Sequence, residues 1–149
     1  MNKGIIAAVV GLLALALVGA GCGGGDETTE LTRAQFIKQG NAICKQQKEK
    51  RDATIRAAIK GQDQSKLLPL KQREEVVLEI LPPYEEVPER LKALGTPEGE
   101  EEKVEAIYGA MEDAAQKVKA DPAEALKSTT QFTKANELSS AYGLTECAV

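Results

Sequence analysis

The fold is decided by residues 104–118, whose sequence is VEAIYGAMEDAAQKV. Apolar residues recur in this stretch every three or four positions, which places them on one face of an α-helix. The face comprises Val104, Ile107, Tyr108, Met111, Ala114, Ala115 and Val118. Thr96-Pro97-Glu98 lies upstream and predicts the start of the helix, with threonine as the N-cap and proline at the first helical position.

A long first helix is predicted over residues 32–60. Thr32 and Gln35 have the spacing of a capping box at its start, and Gly61 is typical of a helix end. The apolar face of this helix is formed by Phe36, Ile37, Gly40, Ile43, Cys44, Ile55 and Ala58. Cys44 lies in the middle of that face, so we expect its side chain to point into the core.

A second helical stretch follows Ser65 and reaches Leu94, with Gly95 as its end. The pair Pro82-Pro83 interrupts this stretch, because proline removes a backbone donor and restricts the residue that precedes it. The apolar pattern continues on both sides of the prolines. We therefore predict one helical stretch with a break or strong kink near Leu81.

The last helix is predicted from Asp121-Pro122 to Gly143. Its apolar face is weaker and consists of Leu126, Phe132, Ala135, Leu138, Ala141 and Tyr142. Short connections between four amphipathic helices favour antiparallel neighbours. The sequence thus predicts an all-α fold, an antiparallel bundle of about four helices with the second kinked at Pro82-Pro83, in one domain over residues 32–147.

Residues 1–21 are typical of a bacterial export signal. Lys3 precedes an apolar run from Gly4 to Gly21, and Cys22 follows immediately. A cysteine at this place is the lipid-attachment residue of lipoprotein signals, so we expect Cys22 to carry fatty acyl chains. Residues 22–31 then form a flexible linker that keeps the domain close to the extracytoplasmic face of the cell membrane.

Two alternatives remain open for this segment. Lipoprotein signals usually carry leucine three residues before the cysteine, and this chain has Gly19 at that position. Ordinary signal-peptidase cleavage after Ala20 would release a soluble protein with an unpaired Cys22. An uncut segment would act as a membrane helix at the short limit of length for spanning a bilayer.

Cys44 and Cys147 remain as a pair when Cys22 is acylated. An exported chain enters an oxidising compartment, where a disulfide is the default state of two such cysteines. The bridge would pin the C-terminal tail onto the first helix, which suits a chain end that frays unless it is tied. Two unrelated buried thiols are the alternative.

Composition narrows the classes of function. The chain has 19 basic and 23 acidic residues, and this mild acidic excess argues against nucleic-acid binding. Histidine is absent, which removes the usual general base and the commonest metal ligand. Phosphate-binding, dinucleotide-binding and haem-attachment motifs are also missing. We therefore predict that the protein is not an enzyme and has no catalytic residue, no metal and no cofactor.

Two groups of side chains are candidates for binding. Lys38, Lys45 and Arg56 share one face of the first helix, and Lys48 and Lys60 flank them; together these five form the basic stripe. Beside a lipid anchor the basic stripe could rest on anionic headgroups, and the alternative is an ordinary solvated face. The three tyrosines could meet around a ligand cavity, or could form the rim of the core: Tyr84, Tyr108 and Tyr142.

Three short segments carry a family resemblance. Residues 36–44 read FIKQGNAIC, residues 95–99 read GTPEG, and residues 141–147 read AYGLTEC. These segments resemble a group of small, uncharacterised bacterial lipoproteins that share a cysteine in the first helix and a Tyr-Gly…Cys tail. The resemblance implies an exported helical domain, lipidated at Cys22 and joined by a Cys44–Cys147 disulfide, and it implies no activity.

We therefore expect a membrane-anchored lipoprotein that is a non-enzymatic helical binding or interaction module at the cell envelope, with an envelope protein or a small ligand as its partner. The alternative is a structural envelope element that rests on anionic lipid through helix 33–60. An internal apolar cavity with convergent polar groups would favour a ligand. A large exposed apolar patch over a solid core would favour a protein partner. A solid core with only charged faces would favour the structural role.

Overall fold

A computed structural model of the chain describes residues 31–61 and 67–149. The predicted signal segment 1–21 and the lipid-attachment residue Cys22 lie outside the described residues. Within the described part the secondary structure is helical, and the predicted all-α bundle is confirmed. The helices are α1 (Arg33–Ala58), α2 (Leu70–Glu79), α3 (Leu81–Lys92), α4 (Glu101–Ala120), α5 (Pro122–Ala125) and α6 (Thr133–Tyr142), with 3₁₀ helices at Thr130–Phe132 and Thr145–Cys147.

The first helix begins as its sequence predicts. The hydroxyl of Thr32 accepts a hydrogen bond from the backbone N–H of Gln35 (3.2 Å), and the Gln35 side chain accepts one from the backbone N–H of Thr32 (2.9 Å). This reciprocal pair satisfies two donors that have no intrahelical partner. The helix ends at Ala58, just before the predicted end at Lys60, and Gly61 takes a left-handed conformation (φ 79°).

The predicted kink is present between α2 and α3, where Ile80 separates the two helices. Pro82 and Pro83 lie in the first turn of α3, where a missing N–H removes no intrahelical hydrogen bond. Pro88 lies inside α3 and is buried. In contrast, no residue of α2 is fully buried. This helix is therefore held on the surface of the bundle by half-buried side chains.

The predicted start of α4 at Thr96 is wrong. The helix begins at Glu101, and residues 96–100 form a turn in which the backbone N–H of Glu100 donates to the carbonyl of Pro97 (3.1 Å). Gly99 has φ 74°, a left-handed conformation that an α-helix does not contain. The apolar face of α4 is nevertheless as predicted, and all seven of its residues are buried.

The last predicted helix is divided in two. Asp121 caps α5 as expected, accepting a hydrogen bond from the backbone N–H of Glu124 (2.8 Å), but α5 has only four residues. The Ser128 hydroxyl then accepts a hydrogen bond from the backbone N–H of Thr130 (3.1 Å), and local bonds of this kind compete with helix formation. Helix α6 ends at Gly143 (φ 110°), as predicted.

The apolar side chains form two clusters. The main core joins α1, α3, α4 and α6 to the C-terminal tail through buried residues such as Phe36, Leu91, Met111 and Leu144. A smaller cluster is formed by Leu81, Ala115 and Val118 at the end of the bundle where α2 and α5 lie. Half-buried side chains complete this second cluster, namely Val77, Tyr84, Ala125 and Phe132. Packing is therefore less complete at this end of the molecule.

Candidate ligand-binding cavity

The C-terminal tail lies along one face of α1 and is held there by side-chain hydrogen bonds. The guanidinium of Arg33 donates to the carbonyl of Tyr142 (2.9 Å). The side-chain amide of Asn41 makes two hydrogen bonds to the tail. Its Nδ2 donates to the carbonyl of Gly143 (3.0 Å), and its Oδ1 accepts from the backbone N–H of Glu146 (2.9 Å). We call this arrangement, together with the disulfide described next, the tail clasp.

Cys44 and Cys147 lie within bonding distance of each other and form a disulfide, with their Cα atoms 4.9 Å apart. The predicted pairing is therefore confirmed, and both cysteines are buried in the main core. Gly40, one turn before Cys44, allows the tail to come close. A Cβ atom at Gly40 would lie 2.6 Å from Cδ2 of Leu144, a residue of the tail whose side chain is fully buried.

A cavity of about 240 Å³ lies in the smaller apolar cluster, between the α2–α3 kink, the end of α4 and the segment that includes α5. Its apolar wall is formed by Val77, Ile80, Leu81, Val118, Ala125 and Phe132. Val149 of the tail also lines the cavity. The side chain of Asn136 holds Val149 by two hydrogen bonds of 3.0 Å, one to its N–H and one to its carbonyl.

The polar side chains of the cavity wall are Arg51, Tyr84, Thr129 and Gln131. The Tyr84 hydroxyl and Nε2 of Gln131 are buried without a hydrogen-bond partner among the described residues. Such groups are costly to bury unless something accepts their hydrogen bonds. Arg51 directs Nε and Nη2 to one carboxylate oxygen of Asp52, at 3.0 and 2.8 Å. All three groups are donors.

Electrostatics strengthen the donor character of this site. Burial raises the pKa of Tyr84, so its hydroxyl keeps its proton at neutral pH. The Tyr84 ring packs edge-on against Phe132, with ring centroids 5.2 Å apart, and this contact holds the ring in place. No carboxylate side chain occurs among the residues that line this cavity in the described part of the chain. The cavity thus combines an apolar wall with one cation, the two neutral donors of Tyr84 and Gln131, and the hydroxyl of Thr129.

A smaller cavity of about 30 Å³ connects this site to the disulfide, since Arg51, Ile80, Tyr84 and Val149 line both. Its other walls include the two bonded cysteines and Gln47. Gln47 is buried, and its Nε2 donates to a carboxylate oxygen of Glu86 (2.8 Å). Hydrogen bonds from Gln47 and Lys50 lower the pKa of Glu86. The smaller cavity therefore lies between the disulfide of the clasp and the larger cavity.

Of the three tyrosines, Tyr84 lines the cavity, whereas Tyr108 and Tyr142 are buried in the main core. Burial raises the pKa of Tyr108 to about 12 and also raises the pKa of Tyr142. The Arg33 guanidinium lies 4.9 Å from the centre of the Tyr142 ring. Tyr108 and Tyr142 are thus part of the core, as the alternative to a ligand cavity predicted, and Tyr142 also contacts Arg33 of the clasp.

The basic stripe is divided by the structure. Lys38, Lys45, Arg56 and Lys60 are exposed, and none of these four forms an ion pair within the described residues. Lys48 is half-buried and lies 3.7 Å from a carboxylate oxygen of Glu146 in the tail. Lys48 therefore contacts the tail beside the clasp, and the exposed part of the basic stripe contains the other four cations.

Tyr84 was among the predicted candidates for a ligand cavity, but the sequence patterns did not single out Gln47, Arg51 or Gln131. Gln47 lies three residues after Cys44 and Arg51 lies four residues after Gln47, so both fall on the apolar face of α1, before Ile55. Polar residues at core-facing positions are a signal of a buried site, because such positions are otherwise apolar. Gln131 had no comparable signal, since it lies in a segment that does not form a regular α-helix.

Comparisons place no further constraint on this site. No family model matches the chain, and neither a curated protein nor a solved structure matches it. Within residues 31–61 and 67–149 no helix is long and apolar enough to cross a membrane. The same part of the chain holds no group of three or more acidic or cysteine side chains arranged to bind a metal ion.

Proposed function

We propose that this protein is an exported, lipid-anchored binding module of the cell envelope, and that it binds a small ligand in the 240 Å³ cavity without transforming it. The observation that carries the proposal is the combination of an apolar wall with the donors of Tyr84 and Gln131, which have no hydrogen-bond partner among the described residues. Pockets of this composition are typical of small-ligand sites, in which a few polar groups fix orientation.

The side chains at the cavity support binding rather than catalysis. The chain has no histidine. Tyr84 and Arg51 are the titratable side chains of the cavity wall. Burial raises the pKa of Tyr84, so its hydroxyl keeps its proton at neutral pH, and a guanidinium group has donors but no acceptor. Neither residue therefore acts as a general base there.

A neutral apolar probe tests whether the cavity accepts ligands. We expect octanol to bind, measured by calorimetry on the intact domain, because an apolar cavity of this kind takes up apolar molecules. Ala125→Leu extends a side chain into the cavity and should weaken binding at least several-fold. Ala106→Leu makes the same change at an exposed position of α4 and should leave binding unaltered. Binding of octanol by Ala125→Leu as tight as by the unchanged protein would show that the cavity is not the binding site and would refute the proposal.

The proposed membrane anchor rests on Cys22 and the apolar segment before it. Intact mass of the protein extracted from the producing cell should show cleavage before Cys22 and the added mass of fatty acyl chains. A Cys22→Ser variant should lack that added mass and appear in the soluble fraction. Mature protein that begins at Gly21 and carries no acyl chain would show ordinary cleavage after Ala20 and contradict this part of the proposal.

A second candidate function is favoured by the exposed part of the basic stripe. Four cations on the outer side of α1 suit a structural element that rests on anionic lipid, at about 1 kcal/mol per cation near the surface. The domain without its lipid should then bind vesicles that contain phosphatidylglycerol and not vesicles of phosphatidylcholine alone. Equal binding to both would contradict this role.

Two double variants that remove equal charge distinguish binding through the basic stripe from an effect of the net charge of the protein. Lys38→Gln with Lys45→Gln should weaken binding to the anionic vesicles roughly tenfold or more, since two cations near the surface are removed. Lys117→Gln with Lys127→Gln removes the same charge from α4 and the segment after α5 and should have a smaller effect. Equal effects of the two pairs would show that net charge, not the basic stripe, governs binding.

A further inference from the structure

We infer that the ligand of the cavity is a carboxylate with an apolar tail, of the size and chemistry of a medium-chain fatty acid. This inference deepens the proposed function and depends on it. It is carried by the juxtaposition of Arg51, Tyr84 and Gln131 on one apolar wall.

The sign of the charge at the cavity selects an anion over a cation. Arg51 is the charged side chain among the residues that line it in the described part of the molecule. Its ion pair is with Asp52, the next residue along α1, whose side chain is half exposed. Exposed pairs of this kind contribute little to stability, so the guanidinium can exchange Asp52 for a ligand carboxylate at small cost.

The guanidinium of Arg51, the hydroxyl of Tyr84 and Nε2 of Gln131 can all donate, which favours a ligand with several acceptor positions. Arginine has five N–H donors, of which Asp52 accepts two. The Tyr84 hydroxyl and Nε2 of Gln131 add two donors that have no partner among the described residues. A carboxylate offers two oxygens with about four acceptor positions, and arginine matches its geometry with two parallel bonds. An alcohol offers fewer acceptors, and an ammonium group offers none.

The volume and the wall select the rest of the molecule. A cavity of about 240 Å³ corresponds to roughly eight water molecules at about 30 Å³ each. The hydrocarbon side chains of the wall, Val149 included, offer no hydrogen bonds to polar groups along a ligand chain. An alkyl chain of about eight carbons is therefore the appropriate length by volume, and octanoate is the probe we choose.

The experiment compares three probes of equal chain length: octanoate, octanol and octylammonium. We expect octanoate to bind the intact domain most tightly and octylammonium most weakly, measured by calorimetry below the concentrations at which the probes aggregate. Arg51→Gln should weaken octanoate roughly tenfold, because a hydrogen-bonded charge is lost, and should change octanol little. Arg56→Gln removes a cation from the same helix away from the cavity and should change neither.

A second variant keeps the test informative if Arg51→Gln disturbs the fold. Tyr84→Phe retains the ring and its contact with Phe132 but removes the hydroxyl, and should weaken octanoate roughly fivefold. Circular dichroism and melting temperature establish that each variant is folded.

The outcomes distinguish the two levels of inference. If octanol binds as tightly as octanoate, or if Arg51→Gln and Arg56→Gln weaken octanoate equally, the carboxylate assignment is overturned while binding in the cavity stands. If octylammonium binds most tightly, the charge argument is overturned. If no probe binds the intact domain, this inference and the proposed function both fail.

Discussion

Removal of the Cys44–Cys147 disulfide is the perturbation whose effect the structure defines best. We consider the double variant Cys44→Ala, Cys147→Ala, which leaves no free thiol in the core. The two cysteines are 103 residues apart in sequence, and closure of a loop of this size restricts the unfolded chain by about 4–5 kcal/mol. Small domains are stable by only about 5–15 kcal/mol, so this single bond accounts for a large share of the total.

The folded state should survive the change. Leu144 remains fully buried in the main core, and the two hydrogen bonds of Asn41 still hold the tail. These contacts do not depend on the bond between the sulfur atoms. We therefore expect a folded variant that loses about 3–5 kcal/mol of unfolding free energy and melts roughly 15 °C lower than the unchanged protein.

Urea denaturation followed by circular dichroism measures this loss, and the variant and the oxidised protein must show similar slopes for free energies to be compared. Asn136→Ala is the control, since it frees Val149 and leaves the disulfide intact; it should reduce stability by only about 1 kcal/mol. A loss below about 1 kcal/mol for the double variant would refute the argument from loop closure.

Three further predictions concern the clasp and the core. Gly40→Ala should destabilise the protein by about 1–3 kcal/mol, because the new Cβ meets the buried side chain of Leu144. Gly109→Ala has no described atom within contact distance of the new Cβ and should stabilise α4 by about 0.5–1 kcal/mol. Urea denaturation measures both changes. Asn41→Ala should cost about 1–3 kcal/mol in the same assay, because a backbone donor and a carbonyl of the tail lose their partners. Stability should fall as pH rises above the ordinary tyrosine pKa of 10.0, because the unfolded chain then releases protons that the folded chain retains. Tyrosinate absorbance should therefore appear together with the loss of helical circular dichroism. Tyrosinate absorbance near pH 10 in the folded protein would contradict this assignment of buried hydroxyls.

The helices could be predicted because their signals are local. The capping box at Thr32, the periodicity of α4 and the prolines at the α2–α3 kink all act within one or two turns. The start of α4 was predicted incorrectly at Thr96, because threonine followed by proline suits both a helix start and a turn. Gly99 decides between them by adopting a positive φ, and the sequence does not state which conformation a glycine takes.

The cavity could not be predicted by the same means. Its walls come from five α-helices, one 3₁₀ helix and the tail. Periodicity assigns Val77, Leu81 and Val118 to core-facing positions whether the space between them is filled or open. The volume depends on how the facing side chains interdigitate, which is a property of tertiary packing. Arg51 did carry a local signal, as a charged residue on an apolar face.

The clasp is built from residues of the short sequence motifs, whereas the cavity donors lie outside them. Gly40, Asn41 and Cys44 lie in the first motif, and Gly143 and Cys147 lie in the last, so residues of both motifs build the clasp. The donors proposed to bind the ligand lie outside all three motifs: Arg51, Tyr84 and Gln131. Proteins that share the motifs would therefore share the attachment of the tail to α1 without necessarily sharing a ligand. Residues that distinguish the ligands of such proteins are expected at the positions of the cavity donors: on α1 at Arg51, near the α2–α3 kink, and in the segment between α5 and α6.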